Sequence, residues 1–186
     1  EINRTRDKHK QAILDGLKIS EDLPSIEADL EVELQDRYAP GTPPAQAPET
    51  EGRELRMIDA ISEGLGISME KNQTMVCMGQ DIGDYGGVFK VTDGFVERFG
   101  HDRVRNTPLC ESAIVGASLG LSICGRKSMM EMQFSDFVTC GFNQIVNNLA
   151  KIHWRWGQNA DVVVRMPTGG GVGAGPFHSQ STEAWF

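Results

Sequence analysis

The sequence predicts a three-layer α/β domain with a mainly parallel sheet, preceded by a helical tail and a proline-rich linker. Short apolar runs at 74–78, 128–132 and 161–165 alternate with stretches of helical periodicity. Strands that alternate with helices predict parallel pairing with both sheet faces covered. With 186 residues, 39% of them hydrophobic, the chain suits one domain or a domain plus an appendage. No internal repeat is visible.

Residues 1–38 are charged and helical in pattern. Ile13 and Leu17 share a face, and Ile26, Leu30, Leu34 and Tyr38 recur every fourth residue, which makes a narrow apolar stripe suited to lying on a larger body. Pro40, Pro43, Pro44 and Pro48 mark residues 39–53 as a semi-rigid linker. The domain proper, 54–186, opens with a helical face of Leu55, Ile58, Ile61, Leu65 and Met69. A strand over 74–78 ends at Gly79, a glycine-punctuated loop runs over 83–87, and a helix covers 95–99. Val104 and Arg105 are a short extended piece. A helix follows from Glu111, then a strand over 128–132, then one long amphipathic helix using Phe137, Phe142, Ile145, Val146, Leu149 and Ile152, and a strand over 161–165.

A net charge of −8 argues against a sequence-independent grip on nucleic acid or anionic lipid. No secretory core and no run of about 18 apolar residues is present, so the reading includes no membrane partner. The chain starts at Glu1 without a methionine and reads as a piece of a longer polypeptide. Cys77, Cys110, Cys124 and Cys140 lack CxxC or zinc spacing. They are expected to be buried thiols in a reducing, cytoplasmic setting.

Asn106-Thr-Pro-Leu-Cys-Glu111 places one carboxylate at a strand-to-helix junction, because Pro108 holds Thr107 out of the helical region. By residue type alone, Glu111 complements the helix dipole. The run Ser112–Gly120 is rich in Ala, Ser and Gly, which suits close approach of another backbone at a subunit interface. Gly169, Gly171 and Ala174 fit the GxGxxA form of a dinucleotide loop, yet Pro176 interrupts the helix that form requires, and no Lys-Ser/Thr pair follows for a phosphate loop. The favoured reading is a turn that carries His178 into position. His9 lies in the charged tail, His101 in a loop, and His153 between Ile152 and Trp154 at a helix end, where it packs. Trp154 and Trp156 have no basic patch beside them and read as packing.

Four motifs in order, Gly79-Gln-Asp-Ile-Gly-Asp-Tyr-Gly-Gly-Val-Phe-Lys-Val-Thr92, Asn106–Glu111, Glu131-Met-Gln-Phe-Ser-Asp-Phe137 and His178-Ser-Gln-Ser-Thr-Glu-Ala-Trp-Phe186, carry a resemblance. Over 53–186 the chain resembles the β subunit of the thiamine-diphosphate-dependent 2-oxo acid dehydrogenases, the branched-chain type above all. The resemblance implies the thiamin-diphosphate-binding fold with a pyrimidine-type domain. It implies that Glu111 shares a proton with the cofactor's aminopyrimidine, that Leu109, Gln133 and Phe137 hold that ring, and that His178 exchanges protons around the substrate carbonyl and during acyl transfer. Phe137 stands where the branched-chain pattern often has tyrosine, so the ring face is kept and a hydroxyl is lost. A potassium ion held by the backbone carbonyls of Ala160, Val162 and Val163 is also implied. Residues 92–94, Thr-Asp-Gly, lack the leading glycine and the asparagines that hold diphosphate and magnesium, which places both on the α part. The implied partners are an α-like half fused through the linker, of which residues 1–38 resemble the tail, a second copy of the chain, the lipoyl domain of the acyltransferase component and a small 2-oxo acid. Pyruvate or acetoin is the alternative substrate. A non-catalytic module of the same fold is the alternative from another class.

Overall fold

Four short parallel strands form the sheet: β1 (Val76–Gly79), β2 (Val104–Asn106), β3 (Ser128–Glu131) and β4 (Val162–Arg165), in the order β2-β1-β3-β4. The computed structural model describes residues 1–41 and 52–186, and the chain divides into two compact units, Glu1–Gln35 and Asp36–Phe186. Most of the predicted linker 39–53 lies outside the described residues.

Cys77 pairs with Val104 on one side and Met129 on the other, and Met129 pairs in turn with Val163. Every residue of β1 and β3 is buried, as strands covered on both faces should be. Alternation along β1 sorts the core into two layers. Met75 and Cys77 face Met69 of α3 (Met57–Lys71), Phe95 of α4 (Phe95–Phe99), Val104 and Met129. Val76 and Met78 face Ile114 and Val115 of α5 (Glu111–Ile123), with Met130, Met132 and Val138. The predicted three-layer parallel architecture is the one observed. The chain runs from β1 outward to β2 and then back to β3 on the other flank of β1, so the winding reverses between β1 and β3.

Helix α5 buries Ile114, Val115 and Ser118 against its own chain, and leaves Ala113, Ala117 and Gly120 exposed. The single amphipathic helix expected after β3 is instead a 3-10 turn at Ser135–Phe137, α6 (Val138–Gln144), a π turn at Ile145–Leu149, and a last helix, α7 (Ile152–Trp156). The bond from Ala150 N–H to the Ile145 carbonyl, 2.9 Å, closes the wide turn where β-branched Ile145 and Val146 are adjacent. The extra residue keeps Ile145 and Leu149 on the core and also brings Ile152 inside, at 2% exposure.

The N-terminal unit holds two helices, α1 (Ile2–Glu21) and α2 (Leu30–Gln35). The continuous stripe expected from Ile26 to Tyr38 does not form. Pro24 cannot continue a helix, Ile26 lies between the helices at 99% exposure, and Asp29 restarts the helix by accepting from the Glu31 N–H at 2.9 Å. The cysteines are all free as expected, but Cys124 and Cys140 are exposed, because they fall at the end of α5 and on the outer side of α6. Only Cys77 is fully buried, and burial pushes its thiol up to about 12, which leaves it an unreactive core residue.

At the end of β1 the sheet admits no side chain. A Cβ on Gly79 would stand 2.7 Å from the Glu131 carbonyl oxygen, an immovable backbone atom of the paired strand. Gly79→Ala is therefore expected to destabilise the intact protein by roughly 1–3 kcal/mol, the usual range for overpacking. An unchanged urea midpoint would show that the two strands can separate at no cost. No helix among the described residues is long and apolar enough to cross a membrane.

Candidate active site at the carboxyl ends of the strands

Because all four strands are parallel, their carboxyl ends share one edge of the sheet. Gln80 follows β1 directly, Glu111 lies five residues beyond the end of β2, Gln133 and Phe137 follow β3, and His178 stands at the far end of the loop after β4. Open parallel sheets bind ligands in the crevice outside these ends, where the winding reverses.

Glu111 is the first residue of α5, as the sequence predicts. The Thr107 N–H bonds the Gly79 carbonyl at 2.9 Å, which ties the approach to α5 onto the end of β1. This brings Glu111 Oε1 to 3.2 Å from Gln80 Nε2. An ionised carboxylate can only accept, so the amide must turn its nitrogen toward Glu111. Gln80 Oε1 is thereby left buried with no partner, on a side chain 4% exposed. A buried acceptor without a donor costs about 1–3 kcal/mol, so Gln80 is held in place at a cost to stability. Leu109 is 81% exposed, a large apolar side chain held out of the core two residues before Glu111.

Beyond β3, Gln133 Nε2 donates to Asp81 Oδ2 at 3.2 Å. Phe134 and Phe137 meet edge to face with centroids 6.0 Å apart, and His178 packs edge to face on both, at 5.2 Å and 5.4 Å. Phe89 adds a third ring against Phe134. A cavity of about 240 Å³ opens beside them, lined by Ile58, Ile61, Phe89, Phe134, Arg165 and His178. Under it, Glu131 and Arg165 form an ion pair at 2.5 Å, with side chains 2% and 16% exposed. Burial pushes the Glu131 carboxyl up, and the Arg165 guanidinium opposes that rise.

The edge thus holds two groupings, Gln80 with Glu111 and Phe137 with His178, while Gln133 is tied to Asp81. Glu111 meets Gln80 at the end of β1, and His178 meets Phe134 and Phe137 beyond the neighbouring β3, so the two groupings sit on adjacent strand ends. Ala160 precedes β4, and Val162 and Val163 begin it, so their carbonyls lie at the opposite end of that strand from the loop bearing His178. No group of three or more His, Cys, Asp or Glu able to hold a metal occurs among the described residues. His101 is exposed, 3.5 Å from Asp84. Thr92 is fully buried and donates to the Ile82 carbonyl at 2.7 Å, a structural role.

Residues 53–186 match the family model "Transketolase, pyrimidine binding domain". The chain belongs to this family. The chain is 45% identical over 134 residues to the 2-oxoisovalerate dehydrogenase subunit beta of Bacillus subtilis, a stretch that is 71% of this chain and 41% of that protein. It is 41% identical over 138 residues to the mitochondrial 2-oxoisovalerate dehydrogenase subunit beta 2 of Arabidopsis thaliana, 73% of this chain and 38% of that one. To the pyruvate dehydrogenase E1 component subunit beta of Leifsonia xyli it is 39% identical over 146 residues, 77% and 43%. The matched region of the transketolase pyrimidine-binding type therefore spans about two fifths of the length of these relatives. Gln80, Ser135 and Asp136 lie within the sequence motifs and Arg165 within a predicted strand, but sequence reasoning assigns none of the four a role. Gln80 could have been found from its place one residue past a buried strand.

Proposed function

We propose that this chain is the β-type part of a thiamine-diphosphate-dependent 2-oxo acid dehydrogenase, which oxidatively decarboxylates a branched-chain 2-oxo acid and passes the acyl group to a lipoyl domain of the acyltransferase component. The observation that carries this reading is the Gln80–Glu111 pair at the switch-point edge, a carboxylate at a helix start held by a buried amide. The carboxylate fits an aminopyrimidine, whose ring nitrogen can share a proton with Glu111. Leu109, Gln133 and Phe137 would hold the ring. When bound, the cofactor would supply a thiazolium carbon acidic enough to lose its proton and then act as the nucleophile toward a 2-oxo group. Glu111 holds the proton at the pyrimidine nitrogen, and Gln80 orients that carboxylate. His178, fixed against two phenyl rings, gives and takes protons at the substrate oxygen. The largely apolar cavity beside it suits a branched alkyl group.

In this reading an α-like half supplies the diphosphate and magnesium sites, and residues 1–38 are its tail, joined through the linker. The family match begins at residue 53, outside that segment. A second copy of the chain packs on the exposed Ala and Gly face of α5, potassium sits at the carbonyls of Ala160, Val162 and Val163, and the enzyme works in the cytoplasm. The second reading, a pyruvate-type enzyme, has the Leifsonia relative in its favour.

Turnover of the intact enzyme on 3-methyl-2-oxobutanoate and on pyruvate tests both. The expected result is a kcat/KM at least about tenfold higher for the branched acid, the scale one or two methyl groups command in an apolar pocket. A preference for pyruvate selects the second reading. Absence of turnover on either acid would make the chain a non-catalytic module of this fold.

A further inference from the structure

We propose that the turn Phe134–Phe137 is a positioning clamp for His178, with Asp136 as its anchor. The proposal rests on the reading above in which His178 acts on the substrate. Five glycines lie between Thr168 and Pro176 in the loop that leads to His178, and such a loop has too much backbone freedom to aim an imidazole by itself. The turn removes that freedom from two directions. Its outer residues, Phe134 and Phe137, put their rings against the imidazole at 5.2 Å and 5.4 Å. Its inner residues, Ser135 and Asp136, are 1% and 8% exposed and grip the backbone two residues further on.

Asp136 Oδ1 accepts from the Gln180 N–H at 3.2 Å, and Ser135 Oγ donates to the Gln180 carbonyl at 2.8 Å. Thr168 Oγ1 donates to that same carbonyl at 2.8 Å, so the loop is closed on itself where it begins. The Ser135 N–H donates to the Pro167 carbonyl at 2.9 Å, fixing the loop's first residues to the same turn. Both the N–H and the carbonyl of Gln180 are thus satisfied by residues of the turn and the loop mouth, two residues from an imidazole that is exposed but packed on two rings. Asp136 touches no reacting atom in this arrangement; it acts through His178.

The test uses the intact enzyme and two readouts. Without cofactor, hydrogen exchange of the Gln180 amide should speed up at least about tenfold in Asp136→Ala. It should stay within about threefold of wild type in Asp136→Asn, which keeps an Oδ1 acceptor. In turnover, Asp136→Ala should lower kcat about 10²-fold, the scale of a catalytic group misplaced by about 1 Å, with KM within about threefold, and Asn should restore most of the loss. Added to His178→Ala, Asp136→Ala should lower kcat by less than about threefold, because two residues that act as one unit are not additive. Should Asp136→Ala fail to fold, Ser135→Ala is read by the same two measurements, with faster Gln180 exchange and non-additivity again expected. Unchanged exchange at Gln180, or an equal loss with and without His178, overturns the clamp. Wild-type turnover by His178→Ala would instead overturn the functional reading, while the exchange result would still judge the clamp.

Discussion

Arg165→Met is expected to destabilise the intact protein by about 3–5 kcal/mol at pH 8, the usual cost of removing one partner of a buried ion pair. The reason is what the substitution leaves behind. Glu131 is 2% exposed, and its Oε2 and the Arg165 Nη1 meet as an ion pair with no aligned hydrogen bond among the described residues. Methionine roughly conserves the packed length of the arginine stem, so the loss is electrostatic rather than a cavity. The sign of the pH dependence follows from the raised carboxyl of Glu131. A group whose pKa is higher folded than unfolded contributes its stability below the unfolded value, about 4.3 for a glutamate, and loses it as pH rises through the folded value. Removing Arg165 takes away the one charge that opposes the rise, so the variant should recover part of its loss at pH 5. The companion Glu131→Met/Arg165→Met should return to within about 2 kcal/mol of wild type or exceed it, since a well-packed apolar pair often replaces an ion pair without loss. Urea unfolding of both variants at the two pH values is the measurement. An equal, pH-independent loss in single and double variants would mean that Arg165 stabilises by packing alone.

The same buried pair marks where sequence reading stops. The strands at 76–79, 128–131 and 162–165 were legible because each is an apolar run bounded by turn residues, and local pattern carries that signal. Glu111 was legible as the start of a helix because Pro108 and the small-residue run after it are local too. That Glu111 meets Gln80 was not, since the two are 31 residues apart and joined only by the pairing of β1 with β2. Asp136 was hidden more deeply. Its partner is a backbone N–H 44 residues away, and a peptide group has no signature in a sequence. Ile26 was misplaced because a fourfold apolar spacing outweighed Pro24. The π turn was missed because i, i+4 spacing of Ile145 and Leu149 is compatible with either a regular or a widened turn. Local periods are legible in sequence, whereas an interrupting proline, a long-range contact or a spacing compatible with two turn widths decides the geometry.

Glu111→Gln should keep the fold and remove most of the cofactor activation in the intact enzyme. The carboxylate and the amide are nearly the same size, and among the described residues the Glu111 side chain makes one hydrogen bond, from Gln80. Both Gln80 and the new glutamine can turn their amides to restore it, so the effect on stability should stay within about 1 kcal/mol, the scale of a helix-dipole contact. Chemistry responds differently. Glutamine can hydrogen-bond a ring nitrogen but cannot share a proton with it, and losing a positioned proton-transfer partner lowers a rate by about 10²–10⁴-fold. The two roles of Glu111 therefore predict different observables in one variant. If it serves as proton partner, exchange of the cofactor's thiazolium proton in deuterated buffer slows by that factor while the melting temperature stays within a few degrees. Should exchange run at the wild-type rate while the melting temperature falls, Glu111 is a helix start and the functional reading loses its central residue. Gln80→Leu separates the cases further. It removes the group that orients the carboxylate and leaves the proton-sharing atom in place, so its exchange rate should fall between wild type and Glu111→Gln.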